Sequence, residues 1–482
     1  MKSKYEVVIG LEVHVQLTTK TKIFCGCPTE FGQAPNSQTC PVCLGLPGAL
    51  PVLNKQVVEY AIRTGLATHC AIAPRSVMAR KNYFYPDLPK GYQISQFELP
   101  ICEHGHLEIE TEEGGRKTIG ITRIHMEEDA GKLIHGDTPE TSGASFVDLN
   151  RACTPLLEIV SEPDMRSPKE ARKFLNKLRA TLEYLSVFDS EKEGSLRVDA
   201  NISIKGNERV EVKNITSYKG VEKALTFEMT RQKNLIRRGQ KIARETRHYL
   251  EARGVTQSAR SKEQEHDYRY FPEPDLRPLR VKSWLDGIDL PELPDARRER
   301  FMKEYGCSLS HARTLTGDLR LANFFESVVA PDKAGLSPLA ATWIADTLIG
   351  ELNYRDMSLD RFEPAAMTGL ILLLKADTIT DKSGVEVLRV MLDERLKNEP
   401  AETPDAIVKR MNLAKTAGDT GAITTAIEEA INENQKALAD YRNGGSKALN
   451  FLVGQVMKKT RGKADPGELN RLLIEALKKR EV

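Results

Sequence analysis

The sequence predicts an α+β protein, with an antiparallel-sheet cradle domain first and an all-α helical region after it. One observation is that strict apolar–polar alternation, which marks half-buried strands, recurs up to Ser217. The other is that strand patterns are absent from Leu293 onward, where apolar residues recur at helical spacing. A polar, proline-containing run at 398–405 interrupts the helices. We therefore predict three domains: 1–293, 294–405 and 406–482.

The composition is that of a globular protein in an aqueous compartment. Of 482 residues, 40% are hydrophobic and 29% charged, and the net charge of +2 gives no overall basic field that would indicate nucleic acid. No apolar run approaches the roughly 18 residues that span a bilayer, and the first residues contain no apolar signal core. We expect a cytoplasmic protein without a membrane segment, whose eight cysteines are thiols or metal ligands rather than disulfides.

Alternation in the segment 11–17 predicts a strand whose two faces differ. Leucine and valine occupy one face, and Glu12, His14 and Gln16 share the other. A polar outer face is the ordinary property of any half-buried strand. Glu12 and His14 can also reach one cation together, and the polar faces that follow favour this second interpretation.

Four cysteines form two close pairs, C-x-C and C-x₂-C, separated by twelve residues: Cys25, Cys27, Cys40 and Cys43. Two thiol pairs at this spacing fit a tetrahedral four-thiolate zinc site, although the first pair is one residue shorter than usual. The alternative is four unligated thiols. A closed four-thiolate site is structural, so we assign it no chemistry. The other four cysteines are isolated and are expected in the core.

Aromatic and basic residues are interspersed with prolines and a glycine in the segment 80–96. Lys81 and Tyr85 are typical of it, and Arg80, Lys90 and three further aromatic residues accompany them. On an irregular loop such residues can stack on a nucleobase and hold phosphates. The alternative is a proline-pinned loop whose tyrosines cover the core.

The densest acidic stretch follows a β-branched lead-in at 119–124. It contains His125, Glu127, Glu128 and Asp129 within five positions. The strand period places His125 and Glu127 on one side. Acids at the end of a half-buried strand repel one another unless a cation lies between them, and Mg²⁺ prefers such carboxylates together with phosphate. The alternative is a polar turn after a strand.

Three further segments carry polar residues on predicted strands. Glu158 lies inside the apolar run 154–162, where an unpaired carboxylate is costly. Alternation continues in 193–204 and in the neighbouring segment 210–217. Carboxylates with interspersed cations suit Mg²⁺ bound to a triphosphate. The polar residues concerned are Arg197, Asp199 and Asn201 on the first of these two segments, and Glu211 and Lys213 on the second.

Helical spacing predicts helices at 54–66, at 221–236, from Ser167 and from Ser337. The end of the chain is basic, with ten Lys and Arg against four Asp and Glu in 441–482. This excess suits contact with a phosphate backbone, although a solvated helical face is the alternative. A P-loop and a serine-nucleophile motif are both absent from the sequence, so any ATP site is of another kind and any glutaminase belongs to a partner.

Six strings in the first 290 residues together resemble the B-subunit family of bacterial glutamyl/aspartyl-tRNA amidotransferases (GatB of the GatCAB complex). They are V-I-G-L-E-V-H-V-Q-L, R-K-N-Y-F-Y-P-D-L-P-K-G-Y-Q-I-S-Q, H-M-E-E-D-A-G-K, L-L-E-I-V-S-E-P-D, G-S-L-R-V-D-A-N-I-S and D-Y-R-Y-F-P-E-P-D. The string F-L-V-G-Q-V-M-K-K-T-R-G-K-A-D-P is similar to the family's YqeY-like helical tail domain. From the residues alone, the acidic and aromatic segment 267–275 receives only a structural role.

The resemblance implies a cradle similar to the glutamine synthetase/guanido kinase fold. With ATP and Mg²⁺, it would phosphorylate the side-chain carboxylate of Glu on tRNA(Gln) or of Asp on tRNA(Asn). Ammonia from a glutaminase A subunit would displace the phosphate, a C subunit would hold A and B together, and the helical tail would bind the tRNA. Phosphorylation supplies the leaving group that a carboxylate lacks.

The same resemblance assigns the magnesium and kinase positions, and it implies that the zinc is structural. Lys81 and Arg197 are implied as phosphate or channel-gate contacts, and we expect Tyr85 and Asn201 at the ATP site as well. Two other functions stay open: a free-standing ATP-dependent ligase that amidates a small acid, and a zinc-stabilised RNA-binding adaptor without chemistry. The implied magnesium and catalytic residues are Glu12, His14, Glu127, Glu128, Glu158 and Asp199.

Overall fold

The computed structural model describes residues 5–136, 143–192, 194–259, 268–397, 400, 402–415, 420–442, 446–460 and 466–479. The chain divides into two compact units, Met1–Pro294 and Asp295–Val482. Among the described residues, strands occur only in the first unit, and the regular structure of the second unit is helical. The predicted α+β class, with a sheet first and helices after it, is therefore confirmed.

The described part of the first unit contains sixteen strands, nine of which form one large sheet. They are β1 (Val7–Gln16), β2 (Ala71–Ile72), β3 (Arg75–Ser76), β4 (Ala79–Asn82), β5 (Tyr92–Ser95), β6 (Cys102–Glu110), β7 (Arg116–Glu128), β8 (Lys132–His135), β9 (Ser145–Asp148), β10 (Pro155–Ser161), β11 (Leu196–Ile204), β12 (Val210–Ile215), β13 (Glu245–Leu250), β14 (Val255–Ser258), β15 (Phe271–Pro272) and β16 (Leu279–Arg280). The large sheet has the order β14-β13-β12-β11-β1-β10-β7-β6-β2. A small sheet has the order β15-β4-β5, and β16 with β3 and β8 with β9 form two-stranded pairs.

Neighbouring strands of the large sheet run antiparallel, with the exception of β12 and β13, which are parallel. The chain between these two strands forms a long helix, Tyr218–Arg237. Parallel neighbours require a crossover of this kind, whereas antiparallel neighbours need only a short turn. The predicted antiparallel sheet thus contains one parallel pair, which alternation alone does not reveal.

Three helices pack against the apolar side of the large sheet: α1 (Lys55–Ala67), α2 (Pro168–Tyr184) and α3 (Tyr218–Arg237). The predicted N-cap Ser167 accepts a hydrogen bond from the amide of Glu170, and Asn54 caps α1 in the same way. Each such cap stabilises its helix by about 1 kcal/mol. The predicted core face of the first strand is confirmed, because its leucines and valines are at most 1% exposed: Leu11, Val13, Val15 and Leu17.

The remaining helices begin with the short α4, and all the others belong to the second unit. They are α4 (Lys282–Leu285), α5 (Pro294–Glu304), α6 (Leu309–Thr316), α7 (Leu319–Val329), α8 (Lys333–Thr342), α9 (Ile349–Tyr354), α10 (Pro364–Lys375), α11 (Asp381–Leu396), α12 (Pro404–Arg410), α13 (Thr420–Glu433), α14 (Gln435–Arg442), α15 (Ser446–Lys459) and α16 (Pro466–Lys479). A π-helical stretch, Trp343–Leu348, joins α8 to α9. Among the described helices none is both long enough and apolar enough to cross a bilayer.

Two groups of helices can be distinguished in the second unit. α12 packs against α10 and α11, whereas α13 to α16 share a separate apolar core that includes Ile427, Leu452 and Leu473. The predicted boundary at 405/406 falls inside α12, because Pro404 occupies the first turn of that helix rather than a linker.

The predicted start of a helix at Ser337 is wrong. α8 begins at Lys333, its N-cap is Asp332, and Pro338 lies inside the helix. The Asp332 carboxylate accepts a hydrogen bond from the amide of Gly335 at 3.0 Å. Proline is common in a first helical turn, which favours a start at Ser337, but here an equally good aspartate cap lies five residues earlier.

Candidate active site

The polar face of the large sheet carries a row of charged side chains across four adjacent strands. In the strand register, His14 lies opposite Glu158 on one side and opposite Arg197 on the other, and Glu158 lies opposite His125. Directly opposed residues of antiparallel strands project to the same face. The polar faces that alternation predicted separately therefore meet on one surface.

The first potential cation-binding group consists of His14, Glu127 and Glu158, whose ligand atoms all lie within 4.8 Å of one another. His14 Nε2 lies 3.6 Å from Glu127 Oε1 and 3.5 Å from Glu158 Oε2. His125 Nε2 approaches the same Glu158 oxygen at 3.2 Å, and the other ring nitrogen of His125 is buried without a hydrogen-bond partner. Glu127 is buried, whereas the side chains of Glu158 and His14 are 12% and 21% exposed, so the group is reached by solvent from the His14 side.

The electrostatics of this group favour an added positive charge. Burial and the nearby charge of Glu158 raise the pKa of Glu127. Burial would also raise the pKa of Glu158, but the charges and hydrogen bonds of His125 and His14 outweigh it and hold that pKa well below its usual range. Burial opposes protonation of His14, yet the hydrogen bond with Glu158 and the charge of Glu127 raise its pKa to about 9. A bound cation would take the place of that proton.

A second group on the same face consists of Glu12, Asp199 and Glu211, again with ligand atoms within 4.8 Å of one another. Burial and the charges of Glu158, Glu211 and Asp199 raise the pKa of Glu12. The side-chain amide of Asn201 donates a hydrogen bond to Glu12 at 3.0 Å, and the Oδ1 atom of the same amide is buried without a partner. Burial likewise raises the pKa of Asp199. Three carboxylates, together with an unpartnered side-chain amide oxygen, are oxygen donors that fit Mg²⁺.

Glu128 does not join either group, although the sequence placed it with them. Successive residues of a strand project to opposite faces, so Glu128 lies away from Glu127. It is 1% exposed and forms an ion pair with Lys90. It also accepts hydrogen bonds from the amide of Ile94 and from the thiol of Cys153, both at 2.7 Å. The structure therefore brings together five of the six predicted magnesium residues.

The two predicted phosphate contacts lie beside these groups. Lys81 lies on β4, with its ammonium 4.7 Å from the centre of the Tyr268 ring. Burial opposes its charge, but Glu127 and Glu158 are close enough to raise its pKa. Arg197 donates a hydrogen bond to Asp129 at 2.5 Å.

The predicted aromatic loop is a β-hairpin made of β4 and β5, with the residues between them at its tip. Arg80 is not free for a phosphate, because Glu273 accepts two hydrogen bonds from it at 2.7 and 2.8 Å. Tyr85 lies at the tip and is 61% exposed, next to Phe84, which is 88% exposed. Tyr85 therefore presents its ring to solvent, and its expected place at the ATP site stays a prediction.

The four cysteines of the predicted zinc site lie together: Cys25, Cys27, Cys40 and Cys43 have sulfur atoms within 4.8 Å of one another. The hydrogen bond with Cys25 lowers the pKa of Cys43 to about 4, and burial together with Cys40 raises that of Cys27 to about 11. Thiols that share protons in this way are suited to a common cation. The four isolated cysteines are buried, as predicted: Cys70, Cys102, Cys153 and Cys307.

The basic end of the chain is described only in part. Lys459 pairs with Glu429 at 3.0 Å and with Glu433 at 2.7 Å, so its charge is already compensated. Three of the basic residues counted from the sequence, Arg461, Lys463 and Arg480, lie outside the described residues, as does Asp267 of the acidic and aromatic segment.

Sequence reasoning missed some of the residues that complete these arrangements. Glu211 was recognised as polar on a strand but was not assigned to the metal set, although its register with Asn201 places it there. His125 was noted in the acidic stretch, but the sequence did not show that it contacts Glu158. The partner of Glu128, Lys90, gave no sequence signal, because it lies 38 residues away on a different element.

Comparison with known proteins gives the family. A family profile described as the GatB/GatE catalytic domain matches residues 7–286, and a second described as a GatB domain matches residues 323–477. The B subunit of the aspartyl/glutamyl-tRNA(Asn/Gln) amidotransferase of Methanoregula boonei is 68% identical, over 98% of both chains. Proteins of the same name from Methanospirillum hungatei and Geotalea uraniireducens are 62% and 52% identical, over 98% of this chain and 99% of theirs. The chain belongs to the family of aspartyl/glutamyl-tRNA(Asn/Gln) amidotransferase B subunits.

Proposed function

We propose that this chain is the B subunit of an ATP-dependent amidotransferase that converts Glu-tRNA(Gln), Asp-tRNA(Asn) or both to the amidated forms. The observation that carries the proposal is the pair of carboxylate groups on one polar sheet face, flanked by Lys81 and Arg197. The 68% identity to a protein of this name supports it. Within the reaction, the chain phosphorylates the side-chain carboxylate, and ammonia then displaces the phosphate.

Magnesium is the cofactor that this donor set favours. His14, Glu127 and Glu158 would hold one ion, and Glu12, Asp199 and Glu211 a second. When bound, it would neutralise charge on the phosphates of ATP.

The remaining residues act by orientation and charge. Asn201 fixes the carboxylate of Glu12 through its hydrogen bond. Lys81 presents a positive charge toward Glu127 and Glu158 from β4, and the rings of Tyr83 and Tyr268 lie against its ammonium. Aromatic cover of this kind limits the access of water, which protects an acyl phosphate from hydrolysis.

We further propose the architecture and partners that the family implies. The first unit is a cradle of the glutamine synthetase/guanido kinase type, and α13 to α16 form a YqeY-like tail that contacts tRNA. A glutaminase A subunit and a C subunit complete a heterotrimer that works in the cytoplasm. Zinc held by Cys25, Cys27, Cys40 and Cys43 has a structural role, supported by the closeness of the four sulfur atoms. We place the start of the tail after α12, since α12 packs with the preceding helices.

The test is conversion of Glu-tRNA(Gln) to Gln-tRNA(Gln), and of Asp-tRNA(Asn) to Asn-tRNA(Asn), by the chain assembled with A and C subunits, ATP, Mg²⁺ and glutamine. We expect wild type to form product and Glu158→Gln to lose about 100-fold or more, with glutamine hydrolysis retained. Glu113→Gln is the matched control, because Glu113 is exposed in the turn that precedes β7, whereas Glu127 lies at the opposite end of that strand. Equal product from Glu158→Gln would contradict the site.

The two alternatives predict different results in the same assay. A small-acid ligase would consume ATP with a free acid and no tRNA. An RNA-binding adaptor would show no ATP turnover and would tolerate Glu158→Gln.

A further inference from the structure

We propose that a pocket between the segments 97–99 and 270–278 binds the 3′-terminal nucleobase of the tRNA substrate. The proposal rests on the proposed function and assigns a role to the acidic and aromatic segment that the sequence left as structural. Binding there would place the aminoacyl group beside the carboxylate groups of the sheet.

The pocket has the size and lining that suit one planar ring. Its volume is about 270 Å³, below the roughly 300–1,000 Å³ of sites for drug-sized ligands, so a single base fits better than a complete nucleotide. Phe97 and Phe271, which line it, remain 43% and 45% exposed. Exposed rings that flank a pocket are surfaces on which any base can stack. The lining includes Arg75, Val77, Phe97, Leu99, Tyr270 and Phe271.

A series of aromatic rings connects the pocket to the carboxylate groups. Tyr270 stacks on Phe97, with ring centres 4.2 Å apart and planes inclined by 3°. Tyr268 meets Tyr270 edge-on at 6.1 Å, and the ammonium of Lys81 lies over the Tyr268 ring. Tyr270 also lies near the metal groups, because the charges of Lys81, Glu158 and Glu127 all act on its hydroxyl. One side of Tyr270 therefore faces the pocket while its hydroxyl is within electrostatic reach of the reaction site.

The wall of the pocket is fixed before any ligand binds. Phe271 pairs with Arg80 across β15 and β4. Arg80 in turn donates two hydrogen bonds to the buried Glu273, whose amide donates to the carbonyl of Met78 at 2.8 Å. A wall held in this way loses little conformational entropy on binding, which favours affinity.

Charge at the rim distinguishes the end of a tRNA from ATP. Arg75 lines the pocket and lies opposite Arg280 in the pairing of β3 with β16, and Arg277 is close by in sequence. All three are exposed, and none has a carboxylate within salt-bridge distance among the residues that the structure describes. The acidic residue at the pocket is the exposed Glu98.

The two substrates would direct their phosphates differently. The phosphates of ATP must run from its base toward the metal groups. In aminoacyl-tRNA the amino acid runs toward those groups and the phosphodiester chain leaves the other way. Arg75 in the pocket lining and Arg280 opposite it, both exposed, suit contact with a phosphodiester chain that leaves the pocket.

The test is tRNA binding to the assembled complex, with two deacylated tRNAs as probes, one complete and one without its 3′-terminal adenosine. One stacked base contributes a roughly 5- to 150-fold difference in Kd, so wild type should bind the shortened tRNA more weakly by that factor. Phe271→Ala should bind the complete tRNA as weakly as wild type binds the shortened one, with little further loss on shortening. Phe146→Ala, which removes a ring that is 51% exposed on β9, should behave like wild type.

Two additions ensure that misfolding of Phe271→Ala cannot decide the test. One is a second variant, and the other is a binding measurement that does not depend on the amidation assay. Arg75→Gln should weaken binding of both tRNAs equally and reduce the salt dependence of Kd. The proposal is overturned if wild type does not distinguish the two tRNAs, or if Phe271→Ala distinguishes them as wild type does. It is also overturned if Phe271→Ala raises only the KM for ATP, since the base bound would then be that of ATP. Failure of the proposed function would instead appear as absent amidation by wild type.

Discussion

At the scale of single residues, the period of a strand decides which acids can act together. Glu127 and Glu128 are adjacent and equally acidic in the sequence, yet one joins His14 and Glu158 while the other pairs with Lys90. The sequence alone predicted that His125 and Glu127 share a face, because that follows from alternation. It could not predict that Glu128 has a buried cation as its partner, because Lys90 approaches through the fold.

The Lys90–Glu128 pair leads to a prediction about stability. Glu128→Gln leaves the ammonium of Lys90, whose side chain is 7% exposed, without a compensating charge. Breaking a buried pair from one side costs about 3–5 kcal/mol of unfolding free energy. The double variant Glu128→Gln with Lys90→Met removes both charges and should recover most of that loss. Urea unfolding of the three proteins measures this, and equal stability of Glu128→Gln and wild type would show that the pair is not a buried ion pair.

At the scale of elements, the sequence predicts some short structures correctly and others incorrectly. The cysteine spacing indicated a four-thiolate cluster between β1 and α1, because two close thiol pairs have few other arrangements. The hairpin of β4 and β5 was not indicated, because its prolines and glycine suggested an irregular loop. In the second unit, the start of α8 depends on Asp332 and not on the more conspicuous Ser337-Pro338.

The cysteine cluster predicts a specific metal content. Cys40→Ser removes one of four ligands, so the purified chain should lose its zinc and its Tm should fall, since metal binding contributes directly to folding. Cys307→Ser is the control, because Cys307 is a buried thiol outside the cluster and lies in the second unit. Elemental analysis and thermal unfolding are the measurements. Full zinc content in Cys40→Ser would remove this residue from the site.

Glu326 on α7 predicts a dependence of stability on pH. Burial opposes its charge, but hydrogen bonds from Arg300 and Tyr305, both 2.7 Å, and from Arg297 lower its pKa to about 2. A carboxyl with a lowered folded pKa stabilises above its unfolded pKa and loses that effect as pH falls through the folded value. With solvent screening taken into account, Glu326→Gln should cost about 1–2 kcal/mol at pH 7.

That cost should shrink between pH 5 and pH 3, because the unfolded wild-type chain then takes up the proton. Urea unfolding at several pH values measures the difference between the two proteins. A difference that stays constant over this range would show that the charge of Glu326 does not contribute.

At the scale of the whole molecule, the residue pattern predicted a sheet followed by helices but not the strand order. Alternation shows which residues face a core, whereas the position of β1 between β10 and β11 depends on contacts between residues that are at least 140 positions apart. The parallel pair of β12 and β13 likewise depends on the course of α3. The proline at 404 indicated a linker, but it lies in the first turn of α12.

The separate core of α13 to α16 predicts the behaviour of a shortened chain. A chain that ends at Lys415 retains the cores of the sheet and of the preceding helices, so its Tm should stay within a few degrees of the main wild-type transition. If the tail contacts tRNA, the shortened chain in complex should bind tRNA more weakly and with a smaller salt dependence. Circular dichroism and tRNA titrations at several salt concentrations measure both. Unchanged tRNA affinity would exclude the tail from tRNA binding.

We propose that the carboxylate groups of the polar sheet face activate the substrate with ATP. The most direct measurement is formation of ADP from ATP in a single turnover of the assembled complex with Glu-tRNA(Gln) and Mg²⁺, without glutamine. We expect wild type to form ADP only when the aminoacylated tRNA is present, because ADP is released when the side-chain carboxylate is phosphorylated. Glu127→Gln should form ADP about 100-fold more slowly or not at all, with Glu113→Gln as an unaffected control. Formation of ADP by Glu127→Gln at the wild-type rate would contradict a role of Glu127 in this step.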